Sequence, residues 1–232
     1  MVSSDCDWAA ELLQRRRESY ATFTPLLWRP SGVAVAQEAA LLKQQVGLDD
    51  VVALRTAHAL VVAQLRGNDC FVDDFVVDDE GFWWSEGAEL LRAAWEGLRA
   101  HGATSARVVS AKKDSLKNEM LVGAGLRVSE QWWVKPVEPA GPAETGAVDG
   151  EGYGALIGPP PPVYDLGGPV MFVRYLGPSV VPGDIEARAS RSGAVLVVVP
   201  QHPGRGREAD LAAAGFEVAS QWYVGKPGAP AA

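Results

Sequence analysis

Apolar residues recur along this chain with two different spacings, and each spacing predicts a different kind of element. Trp8, Leu12 and Leu13 form a stripe at helical spacing, which predicts a helix over Asp7–Tyr20. Pro25 and Pro30 interrupt the chain. Ser31 then offers an N-cap for a second helix over Val33–Val46, which Gly47 closes. Val51–Ala57 and Leu60–Arg66 read as the two strands of a hairpin about His58. The turn Gly67–Asn68 leads into an apolar strand, Cys70–Val77, with Asp73 and Asp74 at its centre. An acidic, aromatic loop over Asp78–Ser85 runs into a helix over Glu86–Leu98, whose Leu90, Leu91, Ala94, Trp95 and Leu98 share one face. Arg107–Ser110 is a short buried strand. A strand–helix–strand crossover of this length implies parallel pairing with Cys70–Val77. Asp114 or Ser115 caps a fourth helix that ends at Gly125, and Leu126–Val134 is an aromatic-rich strand.

Pro136–Gly152 is rich in Pro, Gly and Ala, lacks apolar periodicity and reads as a linker. Strands follow at Tyr153–Ile157, Val170–Leu176, Val195–Val199 and Phe216–Val224, with helices near Ile185–Ser190 and Arg207–Ala214. The tetraproline Pro159–Pro162 could serve as a polyproline ligand, but a stiff connector between two strands is the preferred reading. The closing GKPGAPAA should fray.

The two halves repeat one another. Gln131-Trp132-Trp133-Val134 matches Gln221-Trp222-Tyr223-Val224, Gly125 matches Gly215, and Val108–Val109 match Val198–Val199, all at an offset of 90 residues. Phe71–Val72 match Phe172–Val173 at an offset of 101. The second copy is therefore about 11 residues shorter between these two strands, where the loop and helix start stand in the first. Asp73–Asp74 becomes Arg174–Tyr175, and the second copy has no counterpart of the two N-terminal helices. The expected units are a complete one over 1–137, a linker over 138–152 and a partial one over 153–232.

The chain has 232 residues, with 47% hydrophobic and 22% charged content, enough for a real core. A net charge of −8 argues against a nucleic-acid partner, which needs a basic face. The one basic cluster, Arg15–Arg16–Arg17, reads as a solvated helix face. Cys6 and Cys70 have no metal-ligand spacing, and His58, His101 and His202 are scattered, so no metal site is expected. Cys70 reads as a small core residue, and a reducing cytoplasm is the default compartment. No apolar run is long enough to span a bilayer.

The loop-to-helix passage ending at Gly87 has two readings. Unpaired N–H groups and the dipole at a helix start make a ready phosphate site. The same pattern also fits an ordinary strand–loop–helix of an α/β core. The element order, the Gly87-Ala-Glu-Leu90-Leu91 helix start, Asp114 after the RVVS strand and the Ala124-Gly125-Leu126 helix end resemble the GNAT superfamily of acyl-CoA-dependent N-acetyltransferases. ATFTPLLWRPS and the QWWV and QWYV ends are similar to a subgroup common in high-GC bacteria. The resemblance implies an α/β (α+β) fold, a mixed central sheet flanked by helices, followed by a partial repeat of the same fold.

It also implies acetyl-CoA as co-substrate. Main chain of Phe75, Val76 and Val77 would hold the pantetheine arm, the loop Phe82, Trp83, Trp84, Ser85, Glu86, Gly87 and Ala88 would hold the pyrophosphate, and Asp114 would lie nearby. Only Gly87 is kept from the family's Arg/Gln-x-x-Gly-x-Gly/Ala loop, and Leu121 stands where many members have a tyrosine acid. Asp73 or Asp74 would be the general base. Strand alternation should place them on opposite faces, so that at most one meets the cleft. The acceptor would be a small-molecule amine or a protein amino group, with the acidic residues near the cleft favouring cationic ones. The alternatives are a non-catalytic GNAT-like module that binds acyl-CoA, another ligand or a protein, and a structural pairing that supports a homodimer through its Trp-rich ends.

Overall fold

The computed structural model describes residues 1–228. Helix α1 spans Cys6–Phe23, a short α2 Pro25–Trp28 and α3 Ala34–Gln45. Strands β1 (Val51–Arg55), β2 (Ala59–Arg66) and β3 (Asp69–Val77) form an antiparallel meander. A 3₁₀ turn over Glu80–Trp84 leads to α4 (Glu86–Arg99), followed by β4 (Ser105–Ala111), α5 (Ser115–Gly123) and β5 (Leu126–Pro136). The second half holds β6 (Gly146–Gly150), β7 (Tyr153–Gly158), β8 (Val170–Leu176), α6 (Pro182–Arg191), β9 (Leu196–Gln201), α7 (Glu208–Ala213) and β10 (Glu217–Gly225). Part of the stretch read as linker, Gly146–Gly150, is thus an edge strand paired with β7. Of the tail expected to fray, residues 229–232 lie outside the described residues, while Gly228 N–H donates to the Ala124 carbonyl at 3.0 Å.

All ten strands join one sheet in the order β1-β2-β3-β4-β10-β5-β9-β8-β7-β6. The crossovers β3–α4–β4 and β8–α6–β9 give parallel pairs, as strands joined through a helix must. The last strand of each half sits in the other half. β10 pairs antiparallel with β4, β5 pairs antiparallel with β9, and β5 and β10 pair with each other at the centre. Gln131 lies directly opposite Gln221, so the matching residues of the two copies face one another across a local twofold. The register slips once on each strand, at Ser129 and at Ala219, and these two bulges are also 90 residues apart.

The two copies of the repeat thus exchange their last strands. The aromatic ends meet inside the chain: Trp132 and Trp222 lie 5.7 Å apart between ring centroids, with Phe71 at 5.1 Å from Trp222 and Phe172 at 5.3 Å from Trp132.

Helices α4 to α7 cover one face of the sheet. Leu90, Leu91, Ala94 and Leu98 of α4 pack on Val61, Val72 and Val77 in the first half, and Ile185, Ala189 and Leu211 pack on Val173, Val197 and Val199 in the second. On the other face α1 and α3 cover only the first half, with Leu12, Leu13 and Leu42 against Leu60, Val62 and Val76. Over the second half that face carries only Leu27 of the short α2, packed with Leu196 and Val198, and no longer helix among the described residues. There the β7–β8 loop folds back as a strap. Ser31 N–H donates to the Val163 carbonyl and Asp165 N–H to the Arg29 carbonyl, each at 2.9 Å, and Ser31 Oγ–H donates to the Pro162 carbonyl.

Because each half is completed by the other's last strand, the chain should unfold as one unit, with urea transitions by far-UV dichroism and tryptophan fluorescence coinciding. Two separated transitions would contradict the exchange. Trp222→Ala should cost about 3–5 kcal/mol, the usual range for deleting a buried aromatic. Its effect should also be non-additive with Trp132→Ala, because the two rings touch.

Candidate functional site

The β3–β4 pair is parallel only from Asp69–Ser105 to Val72–Val108. Beyond it the strands part, and the main chain from Asp73 onward faces an opening rather than β4. A β-bulge marks the same point. Val62 pairs with Asp74 and Ala63 with Val72, which leaves Asp73 as the extra residue. The bulge corrects the alternation expected from sequence: Asp73 and Asp74 both turn to the α1 face and both line the same cavity. Phe75 and Val77 return to the α4 face and Val76 to the α1 face. The second half carries the same device, with Arg174 as the extra residue between Val173 and Tyr175.

The cavity has a volume of about 740 Å³, within the range of small-molecule sites. Its floor is the central sheet with Phe71, Trp132, Trp222 and Phe172, and its roof is the strap Pro159–Pro162 with Tyr164. The tetraproline is thus a connector that also forms a wall. Two of the three arginines read as solvated line the cavity instead: the Arg16 and Arg17 side chains are 11% and 9% exposed. The stripe that defines α1 gave no sign of this, because its apolar residues cover only the part facing β2 and β3.

These buried charges are held in a network. Arg17 contacts Glu38 at 2.6 Å and Asp74 at 3.5 Å. Arg16 pairs with Asp114, whose Oδ2 also accepts from the Tyr20 hydroxyl at 2.5 Å. Asp114 Oδ1 caps α5 by accepting from Lys117 N–H. Asp73 has no hydrogen-bond or ion-pair partner among the described residues. Asp73 is exposed at the cavity edge, and the protein packed around it still raises its carboxyl above the usual carboxylate range, while burial with Glu38 nearby pushes Asp74 well above it. Lys117 is 2% exposed, and its Nζ donates to the Phe75 carbonyl at 3.0 Å. Burial lowers its pKa to about 8.

The residues expected to hold a phosphate lie on the opposite side of the sheet. Trp83 is fully buried, edge-on to Phe75 at 5.0 Å, with Lys117 Nζ 5.5 Å from its ring centre and its indole N–H unpaired. A Cβ on Gly87 would come within 3.0 Å of the Trp83 ring. Trp84 lies over Gly123 of α5, and Phe82 stacks on His58 at 4.2 Å. Glu86 accepts from the Thr56 hydroxyl, Ser85 precedes α4 and Ala88 is buried. Asp114 is committed to Arg16, Tyr20 and the α5 start, and Leu121 is core. The main chain here offers two parted strands, a carbonyl at Phe75 and the start of α4 at Glu86. The Lys117 ammonium and the buried Trp83 ring both stand against Phe75 beside this parting.

Lys117 was not among the residues singled out from sequence. The repeat could have pointed to it, since Arg207 lies 90 residues later. The Arg207 guanidinium donates to the Gly177 and Val180 carbonyls at 2.5 and 2.6 Å, the loop after β8.

Lys117 loses a proton more easily folded than unfolded, so the unfolded chain binds more protons between about pH 8 and its ordinary pKa near 10.4. Its contribution to stability therefore rises with pH across that window. Lys117→Met should remove the rise, seen as a smaller pH dependence of the urea midpoint than in the unchanged protein.

No family model matches the chain, and none of the curated proteins matches it. Among the described residues, no group of His, Cys, Asp and Glu could hold a metal, and no helix is long and apolar enough to cross a membrane. The fold has solved counterparts. A proposed acetyltransferase from Thermoplasma acidophilum is similar at 12% identity and a TM-score of 0.56, over 90% of this chain and 89% of its own. A tandem GNAT protein from the clavulanic acid biosynthesis pathway is similar at 10% identity and 0.53, over 98% and 97%. A GCN5-related N-acetyltransferase from Sphaerobacter thermophilus is similar at 14% identity and 0.53, over 98% and 95%. At these identities the likeness concerns architecture: the chain carries the GCN5-related N-acetyltransferase fold as two units in tandem.

Proposed function

We propose that the chain is an acyl-CoA-dependent N-acyltransferase whose acceptor amine binds in the cavity. The observation that carries this reading is the position of Asp73. It stands on a bulge where β3 leaves β4, unpaired, at the edge of a cavity that can hold the acceptor. An ammonium must lose a proton before its nitrogen can attack, and a carboxylate with a raised pKa is a better base than an ordinary one. The main chain of Phe75, Val76 and Val77 and the α4 start at Glu86, Gly87 and Ala88 would hold acetyl-CoA once Trp83 and Lys117 give way. The thioester, when bound, supplies the activated acyl group. Asp73 takes the amine proton, and Asp74, tied to Arg17, positions the strand.

A second reading has its own support. Trp83 and Lys117 fill the groove, and Arg207 does the same for the second unit, which favours a ligand-binding module without turnover. Isothermal titration of acetyl-CoA separates the two. Micromolar binding that Trp83→Ala tightens or leaves intact supports acyl transfer. Absence of binding at millimolar acetyl-CoA rejects it in favour of the module. Asp73→Asn should lower turnover by roughly 10²–10⁴, the usual value of a general base, with acetyl-CoA affinity unchanged. The acid limb of kcat/KM should lie above the ordinary aspartate pKa, because protonation of Asp73 removes the base.

A further inference from the structure

We propose that the cavity shared by the two units binds an amphipathic aromatic amine, with its ring on the Trp132–Trp222 floor and its ammonium on Asp73. The inference deepens the acyl-transfer reading by naming the acceptor class, and rests on the cavity being the acceptor site.

Three observations carry it. The first is charge. Arg16 is paired with Asp114, Arg17 with Glu38 and Arg107 with Glu130 at 3.3 Å, while Lys117 is held by a carbonyl. Among the described residues, Asp73 is the one carboxylate on the lining without a partner, since Glu38 and Asp74 meet Arg17 and Glu130 meets Arg107, so an ammonium finds a free acid there. The second is surface. Phe71, Trp222, Trp132 and Phe172 form a continuous row of rings, and the prolines of the strap face them across the cavity. Such a slot suits a flat apolar body and rejects a hydrated polycation, which would leave its other charges against apolar walls.

The third is unsatisfied polarity. Among the lining groups, Arg16 Nε, Arg17 Nη1, Trp28 Nε1 and Trp222 Nε1 are buried donors without acceptors, and Glu38 Oε1 is a buried acceptor without a donor. Trp222, Arg17 and Glu38 are 6%, 8% and 2% exposed. Buried polar groups are normally paired, so this arrangement points to an occupant of the cavity, and the open Glu38 acceptor suits a ligand N–H.

The site exists because the second copy lacks helices over its sheet. In the first half α1 and α3 fill this space. In the second the strap and the short α2, through Leu27 and Trp28, close it, and the enclosed volume runs across the exchanged strands from Asp73 to Phe172.

The test uses the full chain without CoA, with tryptamine as the aromatic amine, spermidine as the polar polycation and indole-3-acetate as the anionic ring, followed by calorimetry. Saturable tryptamine binding, at least tenfold tighter than either comparison ligand, is expected. Asp73→Asn should weaken it at least tenfold, and Phe172→Leu, which keeps the core filled if Trp222→Leu fails to fold, should weaken it several-fold. Indole-3-acetate or spermidine binding as well as tryptamine, an unchanged affinity in Asp73→Asn, or no tryptamine saturation at millimolar concentration overturns the proposal. Tryptamine binding without acetyl-CoA binding would keep this site and remove acyl transfer. Acetyl-CoA binding without tryptamine binding would do the reverse.

Discussion

The pairing of β5 with β10 is the constraint on which the rest of the molecule depends. Each strand is the last of its own half and lies within the sheet of the other, and Gln131 faces Gln221 where they cross. A sheet edge that would otherwise sit exposed between two small domains becomes the centre of one ten-stranded sheet. Exposed strand edges invite pairing with other chains, and the exchange removes two of them inside a single chain. The aromatic row across the join follows from the repeat. Trp132 and Trp222 are the same position in two copies, brought onto one face by the local twofold.

From that join the site follows in steps. The sheet can be continuous only if both halves present the same face upward, so the helices α4 to α7 share one side. The opposite side is then covered by whatever the N-terminus provides, and it provides α1 and α3 for one half only. The uncovered apolar face is closed by the strap, anchored to residues 29–31 through main-chain bonds. An open apolar surface has become a lined cavity, and the bulge at Asp73 aims a carboxylate at it. A truncation that looks like loss in the sequence is what leaves this cavity open.

Much of the fold was legible in the chain. The helical stripe of α4, the hairpin about His58 and the parallel crossover to β4 rest on local spacing and connection length, which act within a few residues. The internal repeat was legible as well, at offsets of 90 and 101. The sheet order refines it: Phe71 pairs with Arg107 and Phe172 with Val198, so the fourth strand is offset by 91. Strand exchange was not legible, because β5 and β10 have nearly the same sequence and either would fit beside β4. The face of Asp74 was misjudged because period-two alternation assumes no bulge, and nothing in Val72-Asp73-Asp74-Phe75 announces one. Arg16 and Arg17 were misjudged for a related reason. A basic run on a helix is solvated unless acids from other elements meet it, and Glu38, Asp74 and Asp114 come from three different elements.

The two halves also agree in how they treat the carbonyls that their parted strands and loops leave free. In the first, Lys117 from the start of α5 reaches the Phe75 carbonyl. In the second, Arg207 at the start of α7 reaches the Gly177 and Val180 carbonyls. The same helix start thus supplies a buried cation in both copies, although the surrounding loops differ in length and sequence. A buried main-chain acceptor must be paired by something, and the cations meet that demand in the absence of a ligand. They do so at unequal strength. Arg207 makes two bonds through a planar guanidinium, whereas Lys117 makes one through an ammonium whose burial already weakens its hold on its proton. The carbonyls of the second unit are therefore the more firmly held. The weaker hold falls on the same half of the molecule that keeps Asp73, Gly87 and the two N-terminal helices.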